Sequence, residues 1–425
     1  MRYQTLSSEF YQRNRKKFIE NLDTNSFSVF HSNDVMPTNA DGTMGFRQNN
    51  DFFYLTGIDQ EESALLLDFL GNEILFVRET SENIKIWEGE KLSSIQATEL
   101  SGISEIRWYK EYEAEVLNWS KRYKKIYLSN NEHSRAESDV ETRNTRLGNA
   151  LLKQVDSELE VLSSAKIMHL LRYQKDSEEV KQLRVACHIT QKAFERTLTF
   201  LKPDVYEYEI EAEIIHEFIK NGSRGHAYHP IIASGKNACV LHYVSNNNLC
   251  KNGELVLMDF GAEYGNYNAD CTRTIPVNGR FSERQKEVYN AVLDVHNFAK
   301  DILIAGNTFE LLNKEVGLFM QSELIKLGLI DKTDVKNQDP KNPLFRKYFM
   351  HGTAHSLGLD VHDVDDRSIP FAEGMVFTCE PGIYIPEEQM GIRLENNFYL
   401  TKDANIDLMA RIPIAIEEIE DKMNS

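Results

Sequence analysis

The sequence predicts a smaller α/β domain over residues 1–165, followed by a larger α+β domain over residues 166–425. Three observations carry that prediction. Short apolar runs punctuated by Gly and Asn occupy the first part of the chain. Helical stripes cluster after residue 175. Strand-like runs that double back through tight turns follow residue 250. At 425 residues the chain is long enough for two or three domains, each with its own core.

In the first domain, residues 64–70 and 73–77 read as strands around a turn at Gly71-Asn72. In the second, Ser177 can cap a helix whose apolar stripe is Val180, Leu183, Cys187, Phe194 and Leu198. Pro203 breaks that pattern. A further helix places Ile210, Ile214 and Phe218 on one face and stops at Gly222. Residues 255–258 form a fully apolar run, as expected for a strand covered on both faces. A turn at Tyr264-Gly265-Asn266 returns it as an antiparallel neighbour through Ile275-Pro276-Val277. Ser282 and Gln285 make a capping box for a helix with Val288 and Val292 inside. Another helix runs over about 308–327, a polar loop over 332–342, and strands over about 375–380 and 392–401.

Composition narrows the function classes. The chain has 48 Lys and Arg against 66 Asp and Glu, a net charge of −18 with histidine neutral. That surplus of acid argues against a nucleic-acid or anionic-membrane binder, since both need a positive surface. Neither GxGxxG nor GxxxxGKS/T occurs. The five cysteines (Cys187, Cys239, Cys250, Cys271, Cys379) are scattered and form no CxxC pair, which excludes a zinc ribbon and disfavours a disulfide framework. Residues 1–20 lack the apolar core of a signal peptide, and no apolar run approaches the ~20 residues of a membrane span. The expectation is a reduced, cytoplasmic protein.

Four carboxylates fall where strands would hold them rigidly. Asp259 follows the 255–258 run, and Asp270 lies on the expected return strand. Glu380 ends the 375–379 run ahead of Pro381-Gly382, and Glu395 sits within 392–400. An acid beside a buried strand costs several kcal/mol unless it is paired or metal-bound. Any one of them could be a strand-end acid; four together point to a site. Three histidines, His351, His355 and His362, share a Gly-rich segment, and His242 precedes Tyr243. That segment is not the HExxH helix of zinc proteases, because Gly352 disfavours helix and no Glu lies between His351 and His355. His216 and His296, on helix patterns, read as surface or core histidines. Carboxylates with one imidazole select hard divalent ions: Mn²⁺ first, with Co²⁺, Fe²⁺ or Zn²⁺ also compatible. So many anionic oxygens suit two ions about 3.5–4 Å apart, which acidify a shared water.

These residues and their flanks are similar to a known family. The carrying segments are Leu241-His242-Tyr243, Asp270-Cys-Thr-Arg-Thr, His351-Gly-Thr-Ala-His355, Asp360-Val-His362-Asp363, Glu380-Pro-Gly-Ile-Tyr384 and Gly391-Ile-Arg393-Leu-Glu395. Together they resemble the Xaa-Pro aminopeptidases (aminopeptidase P), pita-bread metallopeptidases of family M24. The resemblance covers about residues 166–425. More weakly, Arg47-Gln-Asn-Asn-Asp-Phe-Phe-Tyr-Leu-Thr-Gly57 resembles that family's accessory domain.

The resemblance implies a pita-bread (creatinase/aminopeptidase-like) C-terminal domain. It assigns Asp259, Asp270, His355, Glu380 and Glu395 to two metal ions, with Asp270 and Glu395 bridging. Glu380 would also handle the proton of the attacking water. His242 and His362 would stabilise charge on the scissile carbonyl, and His351 would shape the proline pocket. Arg393 would hold a metal carboxylate, and Tyr384 would add a hydrogen-bond donor. The implied substrates are peptides with proline at position two, with no nucleic acid or membrane partner, in a homodimer or homotetramer. A proline dipeptidase, a non-catalytic pita-bread binding module and a metal-free creatinase-like hydrolase are the competing readings. Two departures stand out. Only fourteen residues separate Glu380 from Glu395, where relatives often carry an insertion, and Asn396-Asn397 replaces a common acidic pair.

Overall fold

The structure, a computed structural model, describes residues 2–133, 135–136, 139–155 and 158–425. It divides into two compact units, Thr5–Arg172 and Tyr173–Ser425, the latter joined by the first residues up to Gln4.

The first unit is built on a six-stranded mixed sheet. Its strands are β1 (Ser26–His31), β2 (Ala64–Asp68), β3 (Glu73–Val77), β4 (Ile106–Trp108), β5 (Lys125–Leu128) and β6 (Glu160–Ser163), in the order β4-β3-β2-β1-β5-β6. The turn expected at Gly71-Asn72 is fixed by Asp68, whose Oδ1 accepts the N–H groups of Leu70 and Asn72 at 2.8 Å each. Phe27, Val29, Leu66, Phe76 and Trp119 pack into this unit's core.

In the second unit, the helix Ser177–Phe200 begins with a capping box, but Asp176 and Glu179 make it, not Ser177. Ser177 is cap-competent, yet the neighbouring carboxylate takes the position and accepts from Glu178 N–H. The expected stripe is buried from Val180 to Leu198. Ile210, Ile214 and Phe218 are likewise buried on the helix Glu207–Lys220. The helices Glu283–Ile302, capped by Ser282 and Gln285, and Phe309–Lys326 form as expected. The polar stretch 332–342 is not wholly loop: Asp331 caps a short helix, Lys332–Lys336, by accepting Thr333 N–H at 2.6 Å.

Strands position the site. β7 (Ile231–Ser234), β8 (Leu255–Phe260) and β11 (Cys271–Pro276) form an antiparallel sheet, with β9 (Glu263–Tyr264) and β10 (Tyr267–Asn268) as the turn between β8 and β11. β12 (Val376–Cys379), β15 (Asn396–Leu400) and β16 (Asn405–Asp407) make a second antiparallel sheet, and β13 (Gly382–Ile385) pairs with β14 (Met390–Arg393) as a hairpin. The expected single strand over 392–401 is therefore two strands with Glu395 between them. The break arises because the chain leaves β13 and joins β12, and Glu395 N–H is taken by Thr272 O at 3.1 Å. At Gly391 a Cβ would lie 2.2 Å from Ala238 O, so only glycine lets this hairpin meet the turn after β7.

Candidate active site

Strand register assembles the acids. In β8, Asp259 faces Thr272 of β11, and Cys379 at the end of β12 faces Asn396 at the start of β15. Glu380 and Glu395, each one residue beyond that last pair, are thereby brought to the same end of the sheet. Asp270 lies one residue before β11, not on it. Its N–H donates to Asn397 Oδ1 at 3.1 Å, and its carbonyl accepts from Asn397 Nδ2 at 2.6 Å, so a side chain replaces the ladder there. Segment 353–357 runs beside β12: Leu357 N–H bonds Val376 O at 3.0 Å, Thr378 N–H bonds His355 O at 2.9 Å, and Glu380 N–H bonds Thr353 O at 2.9 Å. That edge carries His355 to the acids.

Asp270, His355 and Glu395 each present a ligand atom within 4.8 Å of the others, and all three are buried. His355 Nε2 is 3.4 Å from Asp270 Oδ2 and 3.8 Å from Glu380 Oε1. Its Nδ1 lies 3.0 Å from Ser356 O, which leaves Nε2 facing the acids. The Tyr228 hydroxyl bonds both Asp259 and Asp270, at 2.5 Å from the latter. Arg393 donates through Nη2 to Asp259 at 2.5 Å, through Nη1 to Tyr384 Oη at 2.9 Å and through Nε to Thr272 Oγ1 at 3.0 Å. Thr272 in turn donates to Glu395 Oε2 at 2.7 Å.

Burial is the main force on these groups. It raises the pKa of Asp259, against the pull of Arg393, and raises Glu380 to about 7 against His355 and Arg393. Glu395 is driven well above the carboxylate range by burial and then by Asp270, Glu380 and Asp259. His355 loses basicity to burial but regains more from Asp270 and Glu380, a net rise. Glu395 Oε1 is buried with no hydrogen-bond partner among the described residues. An orphaned carboxylate oxygen among mutually repelling acids fits a divalent cation, and the oxygen-rich donor set with one imidazole favours a hard one.

The other expected residues surround this cluster. His351 Nε2 is 2.8 Å from Tyr384 Oη, and burial, then the Arg393 charge, lowers its pKa to about 4. Exposed His362 meets the His355 ring edge-on, centroids 4.3 Å apart. His242 stands exposed on the loop after the 3₁₀ turn Gly235–Cys239, close enough to contribute to the lowered basicity of His351. Sequence reasoning missed Tyr228, Thr272 and Asn397. The first carries one signal, an aromatic between His226 and His229 just ahead of a buried strand. Thr272 sits inside a motif whose acid drew the attention.

The family model for metallopeptidase family M24 matches residues 181–402, slightly more than half of the chain. The chain belongs to metallopeptidase family M24. A second model, the aminopeptidase P N-terminal domain, matches residues 11–127. This M24 peptidase is 34% identical to the Xaa-Pro aminopeptidase of Escherichia coli (strain K12), over 98% of this chain and 97% of that protein. It is 32% identical to the Xaa-Pro aminopeptidase of Haemophilus influenzae, over 99% and 98% of the two chains. It also matches the solved structure of zinc-substituted E. coli aminopeptidase P in complex with product, with a TM-score of 0.89, 32% identity and 99% of each chain covered. The match to proline aminopeptidase P II from Yersinia pestis has a TM-score of 0.89 and 30% identity, covering 99% of this chain and 100% of that one. The fold is thus the two-part aminopeptidase P architecture, with the pita-bread domain second.

Proposed function

We propose that this M24 peptidase releases the N-terminal residue from peptides whose second residue is proline. The supporting observation is the convergence of Asp259, Asp270, His355, Glu380 and Glu395 in a chain similar over its whole length to Xaa-Pro aminopeptidases. These five side chains would hold two divalent cations, most naturally Mn²⁺. Cations bound there supply Lewis-acid polarisation of the scissile carbonyl and acidify a water.

The chain's own residues do the rest. Glu380 takes the proton of the attacking water on its carboxylate and returns it to the proline nitrogen, which must gain a proton to leave. His242 and His362 donate to the oxygen of the scissile carbonyl as charge collects there. His351, seated on Tyr384, forms a wall for the pyrrolidine ring. Arg393 and Tyr228 keep Asp259 in place. A proline imide has no N–H, so a pocket that recognises the ring replaces the backbone contact other peptides would offer.

The chemistry is assigned to the domain of residues 166–425, with 1–165 as accessory. A homodimer or homotetramer is supported by large apolar side chains left open on that accessory domain, Ile86, Trp87 and Ile95, at 75%, 82% and 70% exposed. Five free thiols support a cytoplasmic setting. Among the described residues no helix is long and apolar enough to cross a membrane.

The test is a peptide series of increasing length, each with proline second, incubated with Mn²⁺ and analysed for the freed first residue. No release from any peptide sinks the proposal. Release from dipeptides alone turns it into a proline dipeptidase.

A further inference from the structure

Outside the acid cluster, the helix Glu207–Lys220 carries a buried acid, Glu207, and a half-buried one, Glu211. Glu207 is fully buried and bonds in several directions. Its Oε1 accepts the N–H and the hydroxyl of Ser234 at 2.7 Å each. Its Oε2 accepts the Tyr243 hydroxyl at 2.8 Å and the Asn248 N–H at 2.9 Å. Its own N–H donates to Asn248 O at 2.9 Å. One helical turn on, Glu211 Oε2 accepts from Asn246 Nδ2 at 2.8 Å. Asn246 also donates to Pro230 O at 3.0 Å, accepts Ile232 N–H at 3.0 Å, and holds a φ of +44°, a left-handed value that asparagine tolerates. The outer side of the same loop is open, with Val240 53% and Val244 55% exposed.

We infer that Glu207 and Glu211 form the seat of the loop that carries His242, with Glu207 as a positioning residue for that histidine. The inference rests on the proposed reading that His242 meets the substrate. Neighbouring Tyr243 is tied directly to Glu207, so the His242 backbone is held one residue from an anchored point. Both oxygens of Glu207 receive only donors, and two of these are backbone N–H groups that cannot become acceptors. An isosteric amide therefore sets its own N–H against Ser234 N–H or Asn248 N–H, whichever way it turns.

The test combines Glu207→Gln with His242→Ala and a milder variant, Tyr243→Phe, which removes a single donor. Hydrogen exchange over residues 240–248 should speed up about tenfold or more in Glu207→Gln, and less in Tyr243→Phe. On Xaa-Pro peptides, Glu207→Gln should lower kcat/KM by about 10-fold to 10²-fold with metal content unchanged. In the His242→Ala background the same change should cost under about twofold, because both act through one group. Unchanged exchange over 240–248, or equal losses in the two backgrounds, would overturn the inference. If the wild-type chain released nothing from any such peptide, the functional reading would fail, while the exchange comparison would still decide the loop's seat.

Discussion

Arg393 Nη2 lies 2.5 Å from Asp259 Oδ2, and the same guanidinium reaches Tyr384 and Thr272. One planar cation thus fixes an acid of the cluster, the Tyr384 hydroxyl that meets His351 and, through Thr272, Glu395. A lysine carries the charge but has no fork to serve three partners. Arg393→Lys should lower kcat or metal affinity by about 10–100-fold, read by steady-state kinetics together with metal titration calorimetry. Full activity with normal affinity would show that the fork is dispensable.

Tyr228 offers a second check on the scaffold. Its hydroxyl bonds both Asp259 and Asp270. Tyr228→Phe keeps the ring and deletes the bridge, so metal affinity should fall by about 10-fold or more. Thermal unfolding of the chelated protein, measured in parallel, should also shift down, by about 1–3 kcal/mol, since two buried carboxylates lose their donor.

How much of this was legible in the sequence follows from what local patterns encode. Asp259 and Glu380 stood out because an acid closing an apolar run is locally anomalous. The register that sets Glu380 beside Glu395 was not legible, since an apolar run does not name its partner strand. The Cys379–Asn396 pairing is a tertiary outcome. Asn396 and Asn397 read as a departure from an acidic pair, yet each has a task. Asn397 clamps the Asp270 backbone, and Asn396 Oδ1 accepts from buried Arg273 at 2.7 Å. An acid and its amide differ little in sequence pattern and much in which lone pairs and protons they offer.

Glu380 sets one pH dependence. Its folded pKa is raised to about 7 by burial, above the ordinary 4.5 of the unfolded chain. Between those values the folded state binds more protons, so the chelated protein should lose stability as pH rises from about 4.5 to about 7. Glu380→Gln should flatten that decline in the melting temperature. Added Mn²⁺ should cancel it in the wild type, because the cation favours the ionised acid. A decline equally steep in the variant would count against the assignment.

His296 sets an opposite one. It is buried on the helix Glu283–Ile302, neither ring nitrogen has a hydrogen-bond partner among the described residues, and burial lowers its pKa to about 3. Below about 6.5 the unfolded chain takes up a proton that the folded state refuses, so stability falls with acidification by about 1.4 kcal/mol per pH unit from this residue alone. His296→Met fills similar space without a proton site. Its denaturation midpoint should hold up better than the wild type's at pH 5 and match it more closely at pH 7.

The hairpin of β13 and β14 has a further use. Its open end is registered by Gly382 opposite Arg393, while its tip is a short 3₁₀ turn, Pro386–Glu388, steadied by a surface pair between Arg284 and Glu388 at 2.8 Å. Residues grafted into that tip lengthen the overhang and leave the base pairing as it is. The hairpin therefore separates what can drift from what must not: the tip can be exchanged with longer versions, or carry a fluorescent reporter, while the acids at its foot stay in place.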